Sequence, residues 1–365
     1  MKICYLANAR SIHTQRWAKH FLSQGHEVTV ISYQSGEIEG VRTICLSSAA
    51  SVSQLNILLL LSRVRRIVRE IRPDILHAHY ATSYGLAGAL TGRSPLIVTA
   101  WGSDVLITPE ESWVYRQMVR FVLSRADLIT SMAQHMTHHL IERNYAAAEK
   151  IITLPFGVDT EVFNLNHRTR LHGDELGVVV STRHLDPGYD VDIYIQAIPK
   201  VLDAYRNARF IIAGDGSLRT QLDKLAASLG VRENIEFRGQ ISHQDMPKLL
   251  GEADVFVTTS PSDGNNISLN EAMACGVFPV ATDIPANRAW IEHRKNGLLF
   301  SCRDSQQLSD AIIEALRRPE WRQGVTAQNW EIVRTQASWS HSMVEMEFHY
   351  FRLLRKKQKD VRRFA

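Results

Sequence analysis

Residues 253–281 read ADVFVTTSPSDGNNISLNEAMACGVFPVA, and this stretch decides the fold class. Its two apolar runs, 254–258 and 278–281, are typical of buried strands, and a polar loop and a short helical stretch lie between them. A strand, a helix and a second strand in this order form a parallel βαβ unit. The stretch therefore predicts an α/β domain built on a parallel sheet.

The same alternation extends from this stretch towards the N terminus. Comparable apolar runs, separated by helical patterns, predict strands at 177–182, 209–213 and 235–238 in the same half, and at 2–7, 27–32, 74–78, 96–100, 127–131 and 151–154 in the first half. Each half therefore predicts a doubly wound parallel sheet with helices on both faces.

The pattern divides the chain into two domains. We expect an N-terminal domain at 1–165 and a C-terminal domain at 175–335, joined through the polar, strand-poor stretch 164–174. After Arg317 the pattern is purely helical, and we expect a closing helix at 340–358 to pack back on the first domain. In two such domains the default ligand site is a crevice outside the carboxyl ends of both sheets.

Composition excludes several classes of protein. The chain has 365 residues, of which 45% are apolar and 22% charged, as in ordinary globular proteins. Its longest purely apolar run, 57–61, is far shorter than the roughly 20 residues of a membrane-spanning helix, and residues 1–17 lack the apolar core of a signal peptide. The four cysteines lack metal-ligand spacing and are too sparse for a disulfide framework. We expect a cytoplasmic protein without a zinc site.

Positive charge is concentrated at the C terminus. Residues 352–363 carry seven Lys or Arg and one Asp, so a chain of net charge +4 has a body of about −2. A nucleic-acid-binding protein would carry its charge along a face of the fold, so the tail instead favours peripheral contact with an anionic membrane. The predicted helix at 51–72, with Arg63, Arg65, Arg66 and Arg69, fits either a membrane surface or a core-facing helix with a basic outer side.

The polar loop at 261–267 has the layout of an anion site. A helix begins after it, and the amides of Asn265, Asn266 and Ile267 are placed to face a diphosphate. Asp263 and Glu271, eight residues apart, flank that position and can accept hydrogen bonds from sugar hydroxyls. An alternative is that Ser268 and Glu271 form a capping box, in which Glu271 serves only the first turn.

Several motifs then indicate a family. Besides the acidic pair, segments 211–216 (IIAGDG), 235–239 (IEFRG), 253–257 (ADVFV), 271–276 (EAMACG) and 296–300 (NGLLF) occur in the order and spacing of one enzyme family. The chain resembles the retaining GT-B glycosyltransferases, which include phosphatidylinositol mannosyltransferases and lipopolysaccharide core transferases, and which are also described as glycosyltransferase family 4 or glycosyl transferases group 1. In the first half, 77–79 (HAH) and 99–104 (TAWGSD) resemble the motifs that line the acceptor side of the family's cleft.

The resemblance implies a role for particular residues. Glu271 would bind the donor ribose, Asp263 the transferred sugar, and Asn266 and Ile267 the diphosphate, with Gly264 and Asn265 in the same loop. The loop 237–240, with Arg238 and Gly239, would face the nucleobase. The implied reaction is transfer of a hexose from a nucleotide diphosphate sugar with retention, without a metal ion or other cofactor. The acceptor would be a lipid-linked saccharide in cell-surface polysaccharide or lipopolysaccharide synthesis, or another saccharide.

The chain departs from the family in its phosphate clamp, which normally holds an Arg and a Lys. In the segment 182–192 (TRHLDPGYDVD), Tyr189 falls in the Lys position and His184 in the Arg position, with Arg183 one residue away. We expect Arg183 to take a catalytic part by balancing the charge of the leaving diphosphate, and Arg288 and His184 are further candidates.

The acceptor side is predicted from residues at the carboxyl ends of the first-half strands. These are His13, Arg16, His79, Trp101, Gly102 and Asp104, and Trp101 stands where the family has a His. The loop after the first strand has no glycine, which disfavours a nicotinamide enzyme.

Other functions stay open at this point. The pair Asp190 and Asp192 matches a metal-binding D-x-D motif, but it lies at a predicted helix start. The altered clamp also fits a catalytically silent relative that acts as a binding or scaffold partner. A nucleotide-sugar epimerase, which shares the two-domain layout, is a third candidate.

Overall fold

The computed structural model describes residues 1–47, 54–169 and 176–364. Contacts divide the chain into two compact units. The first consists of Met1–Pro155 together with Met343–Ala365, and the second of Phe156–Ser342. The predicted linker at 164–174 lies partly outside the described residues.

The first unit is built on a parallel sheet of seven strands in the part that the structure describes. Its strands are β1 (Lys2–Leu6), β2 (Glu27–Ser32), β3 (Arg42–Cys45), β4 (Ile75–His79), β5 (Leu96–Ala100), β6 (Leu128–Ser131) and β7 (Ile151–Thr153). Its helices are α1 (Ile12–Ser23), α2 (Gln54–Ile71), α3 (Ser83–Thr91), α4 (Ser103–Leu106), α5 (Thr108–Glu111), α6 (Trp113–Arg125) and α7 (Gln134–Glu142).

The described residues of the second unit repeat this plan with a parallel sheet of six strands. Its strands are β8 (Val178–Ser181), β9 (Arg209–Ile212), β10 (Ile235–Phe237), β11 (Val255–Thr258), β12 (Phe278–Thr282) and β13 (Leu298–Phe300). Its helices are α8 (Val191–Ala204), α9 (Arg219–Ser228), α10 (Met246–Gly251), α11 (Ile267–Ala274), α12 (Pro285–Arg288), α13 (Ser305–Leu316) and α14 (Pro319–Gln336), and α15 (Trp339–Phe364) follows.

Six strands follow the same order in both sheets, and the first sheet adds β7 at one edge. The first runs β3-β2-β1-β4-β5-β6-β7 and the second runs β10-β9-β8-β11-β12-β13, with every pair parallel. The order reverses between β1 and β4 in one unit and between β8 and β11 in the other. In sheets of this kind, ligands bind outside the carboxyl ends of the strands at these reversals. The predicted fold of two Rossmann-like sheets is confirmed.

Apolar side chains cover both faces of the second sheet. One cluster includes Tyr194, Phe210 and Ile312, and the other includes Phe256, Met273 and Val333. Val158 and Phe163 are buried in the latter cluster, which is why the second unit begins at Phe156, before the predicted linker.

The C-terminal helix completes the first unit, as predicted. From Met343 onward α15 belongs to that unit, and Met343, Met346 and Tyr350 are fully buried. The hydroxyl of Tyr350 is 2.7 Å from Nδ1 of His77 on β4 and 3.2 Å from the hydroxyl of Tyr5 on β1. These buried hydrogen bonds join the last helix to the centre of the first sheet.

The described side chains of α2 agree with the alternative in which this helix faces the core and has a basic outer side. Val64, Ile67 and Val68 are buried, whereas Arg65 and Arg66 are exposed. Among the described helices, none is both long and apolar enough to span a membrane.

Candidate functional site

The loops after β8 and β11 meet at the strand-order reversal of the second sheet. Arg183 follows β8 by two residues, and Asp263 lies in the loop that leads from β11 to α11. The guanidinium of Arg183 connects them, because its Nη2 donates to Oδ2 of Asp263 at 2.7 Å. Both side chains are largely buried, with 11% and 16% of their surface exposed. The structure therefore brings together two predicted residues that are 80 positions apart in the chain.

Arg183 also reaches the start of α11. Its Nη1 donates to Oδ1 of Asn266 at 3.0 Å and to Oγ of Ser268 at 2.9 Å. Its Nε is buried and has no hydrogen-bond partner among the described residues. A buried N–H without an acceptor is costly, and a phosphate oxygen is a strong acceptor for a guanidinium.

Two further predicted residues adjoin Arg183. The ring centroid of Tyr189 lies 4.8 Å from the guanidinium carbon of Arg183, which is the geometry of a cation–π contact. His184 is exposed, and its ring centroid is 5.9 Å from that of Tyr189.

The N-terminal cap of α11 excludes the capping-box interpretation of the loop. The helix begins at Ile267, and the side chain of Asn266 accepts a hydrogen bond from the amide of Leu269 at 3.2 Å. Ser268 thus lies inside the first turn and Glu271 beyond it, so the two do not form a capping box, which needs Ser268 as the cap. Gly276, with φ of +74°, follows the end of the helix, as predicted.

Buried polar contacts hold the loop in place. Nδ2 of Asn266 donates to Oδ1 of Asn287 at 2.9 Å, and Oδ1 of Asn265 accepts from Nε1 of Trp290 at 3.2 Å. The amide of Ile267 donates to the carbonyl of Asn265 at 2.9 Å, so a diphosphate would compete for it. Gly264 is buried beside them.

Glu271 lies on α11, and its side chain is 14% exposed. Oε1 of Glu271 is 3.9 Å from Nδ1 of His243, whose ring in turn packs 4.9 Å from that of Phe163. Motifs in the sequence do not indicate His243, because it lies 28 positions before Glu271 in a loop with no motif of its own. Its place in the polar loop after β10, on the ligand side of the sheet, is the signal that was available.

Two predicted donor-binding arginines have carboxylate partners. Arg238 donates to Glu236 at 2.8 Å and to Glu252 at 3.1 Å, while Gly239 next to it has a φ of +65°. Arg288 donates to both oxygens of Asp283, at 2.5 and 2.8 Å. The donor-binding roles of Arg238 and Arg288 stay predictions.

The D-x-D match has a structural explanation. Oδ2 of Asp190 accepts from Nε of Arg303 at 3.0 Å, and Asp190 directly precedes α8. In the described ranges, no three or more His, Cys, Asp or Glu side chains are grouped as metal ligands.

Close packing of two loops positions Arg183, and Gly214 makes it possible. A Cβ atom on Gly214 would lie 2.1 Å from the carbonyl oxygen of Arg183. We expect Gly214→Ala to push the loops after β8 and β9 apart, at a cost of about 1–3 kcal/mol, and to weaken ligand binding. Thermal unfolding and nucleotide titration measure both effects.

Gly324→Ala is the matched control for this prediction. A Cβ atom on Gly324 in α14 would meet nothing within 4 Å, so we expect a neutral or slightly stabilising change of up to about 1 kcal/mol. Equal stability and binding in the two variants would contradict the packing argument.

In the first unit, Asp104 organises the predicted acceptor loops. Its Oδ1 accepts from the amides of Trp101 at 3.0 Å and Gly102 at 2.9 Å, and its Oδ2 accepts from Ala81 at 2.6 Å. Burial raises the pKa of Asp104, and these hydrogen bonds oppose that shift. Its carboxylate thus joins the loops after β4 and β5, and Gly102 supplies a φ of +136° there.

Aromatic rings and imidazoles gather at the same edge of the first sheet. The ring of Trp101 lies 5.0 Å from that of His13 and 5.5 Å from that of His79. Burial, followed by the nearby His13, lowers the pKa of His79 to about 3, so its imidazole is neutral. Neither ring nitrogen of His79 has a hydrogen-bond partner among the described residues, and Arg16 lies half-buried on α1.

Family models match both halves of the chain. The model described as "Glycosyl transferase 4-like" matches residues 2–133, and "Glycosyl transferases group 1" matches residues 163–329. The chain belongs to this family of glycosyltransferases.

Curated relatives of this glycosyltransferase agree with the family. N-acetyl-alpha-D-glucosaminyl L-malate synthase of Bacillus anthracis is 22% identical over 311 residues, which cover 82% of this chain and 80% of the relative. A GDP-mannose-dependent alpha-(1-6)-phosphatidylinositol monomannoside mannosyltransferase of Mycobacterium tuberculosis is 27% identical over 299 residues, covering 76% and 75%.

Solved structures confirm the GT-B fold. Anabaena HepE, in complex with UDP and glucose, has a TM-score of 0.80 and 20% identity, and the match covers 96% of this glycosyltransferase and 99% of HepE. Sucrose-phosphate synthase of Thermosynechococcus elongatus has a TM-score of 0.84 and 16% identity, covering 97% and 99%.

Proposed function

We propose that this glycosyltransferase binds a nucleotide diphosphate sugar at the reversal of its second sheet and transfers the sugar, with retention, to a hydroxyl of a saccharide or lipid-linked acceptor. The observation that carries the proposal is the arrangement around Arg183. A guanidinium with a buried N–H that no described residue accepts adjoins the start of α11 at the position where such sheets bind ligands.

The diphosphate is the part of the donor that this arrangement fits best. The Nε–H of Arg183 and the N-terminal end of α11 both favour a negative charge. As the bond to the sugar breaks, charge builds up on the leaving phosphate, and a fixed cation stabilises that charge more than it stabilises the ground state. Arg183 supplies this cation in our proposal, and the expectation that no metal takes part stays a prediction.

Glu271 and Asp263 complete the donor site. We assign the ribose hydroxyls to Glu271 and the transferred sugar to Asp263, because carboxylates are strong acceptors for hydroxyl groups. The relative from Mycobacterium is GDP-mannose-dependent and HepE was solved with UDP and glucose, which supports a nucleotide donor here. For retention, the leaving phosphate itself would take the proton of the acceptor hydroxyl.

The acceptor is assigned to the first unit. His79 is buried and neutral, neither of its ring nitrogens has a hydrogen-bond partner among the described residues, and the ring of Trp101 lies 5.5 Å from that of His79 and 5.0 Å from that of His13. A neutral imidazole and aromatic surfaces suit a saccharide better than they suit an anion.

Transfer with a panel of nucleotide sugars tests the proposal. The purified protein is given UDP-, GDP-, ADP- and dTDP-sugars with saccharide and lipid-linked acceptors, and NMR of the product reports the anomeric configuration. We expect transfer from one donor class with retention. Nucleotide binding without transfer would identify a silent relative, and conversion of the donor without an acceptor would identify an epimerase.

We also propose that the protein acts at the cytoplasmic face of an anionic membrane, through α15. Val344, Phe348 and Phe351 follow one another at spacings of four and three along this helix, and 67%, 61% and 45% of their surface is exposed. Arg352 and Arg355 are exposed beside them. Exposed aromatic residues next to basic residues are typical of helices that lie in a membrane interface.

We expect the double substitution Phe348→Ser and Phe351→Ser to reduce binding to vesicles that contain phosphatidylglycerol by about tenfold or more, since two apolar anchors are lost. Co-sedimentation measures the effect. Trp113→Ser is the control, because Trp113 is an aromatic residue with 69% of its surface exposed on a different helix, α6. Unchanged sedimentation of the double variant, or equal binding to neutral vesicles, would contradict the assignment.

A further inference from the structure

Tyr189 occupies the position at which the resemblance leads us to expect the lysine of the phosphate clamp. It lies between β8 and α8, and its ring centroid is 4.8 Å from the guanidinium carbon of Arg183. A lysine at this point would bring a second positive charge close to Arg183, whereas a tyrosine ring attracts the guanidinium through its π face. The substitution therefore changes how the site holds its cation.

Tyr189 is anchored through both its backbone and its side chain. The backbone carbonyl of Tyr189 accepts a hydrogen bond from Oγ1 of Thr259 at 2.8 Å, which joins it to the loop after β11. The side chain packs against the core cluster of the second unit that contains Val191 and Tyr194. A side chain held in this way is a fixed surface rather than a mobile contact.

Tyr189 contacts a part of the Arg183 guanidinium that the polar partners of Arg183 do not contact. Asp263, Asn266 and Ser268 contact the Nη atoms at the edge of the guanidinium, while the ring contacts its face. Together these contacts determine both the position and the plane of the group. Arginine has many rotamers, so a fixed plane preserves the direction of the Nε–H that remains for a ligand.

We infer that Tyr189 is a positioning residue, which holds the guanidinium of Arg183 in the orientation that the donor diphosphate requires. The inference rests on the proposed function for the identity of the ligand. The aromatic ring of Tyr189 positions the guanidinium, and the hydroxyl of Tyr189 is not needed for this role. Tyr189 therefore acts through Arg183 and does not itself touch the phosphates.

Substitutions that separate the ring from the hydroxyl test this inference. In the full-length protein, Tyr189→Phe keeps the aromatic face, and we expect kcat and KM for the donor to stay within about twofold of wild type. Tyr189→Leu removes the face, and we expect kcat/KM to fall about tenfold, mostly in kcat, because an interaction with the transition state is weakened. Thermal unfolding of both variants shows whether the fold is intact.

Two outcomes would overturn the inference. In one, Tyr189→Leu keeps the kcat/KM of wild type; in the other, Tyr189→Phe is impaired as strongly as Tyr189→Leu, which would assign the task to the hydroxyl.

A spectroscopic measurement tests the role of Tyr189 independently of the proposed function. The NMR signal of the Arg183 Nε–H can be assigned by its loss in Arg183→Lys. We expect the aromatic ring to shift this signal equally in wild type and in Tyr189→Phe. In Tyr189→Leu the signal should move away from its wild-type position, because the ring is absent. If the wild-type protein transfers no sugar, the proposed function fails, and this signal alone decides the role of Tyr189. An unchanged signal in Tyr189→Leu would overturn it.

Discussion

Glu271→Ala is expected to raise the dissociation constant of the nucleotide diphosphate about 100-fold and to reduce transfer to the level of the background. Each hydrogen bond from a ribose hydroxyl to a carboxylate contributes about 1.5–3 kcal/mol, and the substitution removes the acceptor for both hydroxyls. The helix itself should persist, because Asn266 caps it and Glu271 takes no part in the cap. Isothermal titration with UDP and GDP measures the affinity.

Glu331→Ala serves as the control for this variant. Glu331 lies on α14 of the same unit and pairs with Arg334 at an exposed position. We expect its nucleotide affinity to match that of wild type. If the Glu271→Ala protein binds nucleotide as tightly as wild type, Glu271 does not bind the ribose. That result would also count against the assignment of the whole donor site.

Arg183→Gln is expected to lower kcat by about 100- to 1000-fold, which is the usual effect of removing one group that stabilises charge in a transition state. The substitution also leaves Asp263, a largely buried carboxylate, without its closest cationic partner. The melting temperature should therefore fall as well. Transfer assays and thermal unfolding report the two effects.

A double variant separates chemistry from stability. Arg183→Gln with Asp263→Asn removes both members of the ion pair, so we expect the melting temperature to recover, while turnover stays low because both residues belong to the proposed donor site. Arg294→Gln is the control, since Arg294 pairs with Glu314 at an exposed site. Recovery of turnover in the double variant would show that Arg183 matters only as the partner of Asp263.

Local patterns in the sequence were sufficient to predict the fold. Short apolar runs alternating with helical stretches predict parallel βαβ units, because each strand must bury both faces and each helix only one. The motifs around 211–216 and 271–276 then pointed to the glycosyltransferase family, which the family models confirm. Gly276 at the end of α11 and the return of α15 to the first unit were also predictable from nearby residues and from helical spacing.

The partners of the charged residues were not predictable in this way. Arg183 contacts Asp263 and Asn266 across 80 or more positions, and Arg288 and Arg238 have carboxylate partners that the motifs do not indicate. The loop at 261–267 likewise allowed two helix starts until the cap at Asn266 was seen.

The physical reason is a difference in range. Strand and helix patterns arise from neighbours along the chain, so a single sequence contains them. Hydrogen bonds at the carboxyl ends of β8 and β11 depend on how loops distant in sequence meet once the sheet has formed. The sequence by itself thus determined the fold and the family of this protein, whereas only the tertiary structure decided which residues hold Arg183 beside the start of α11.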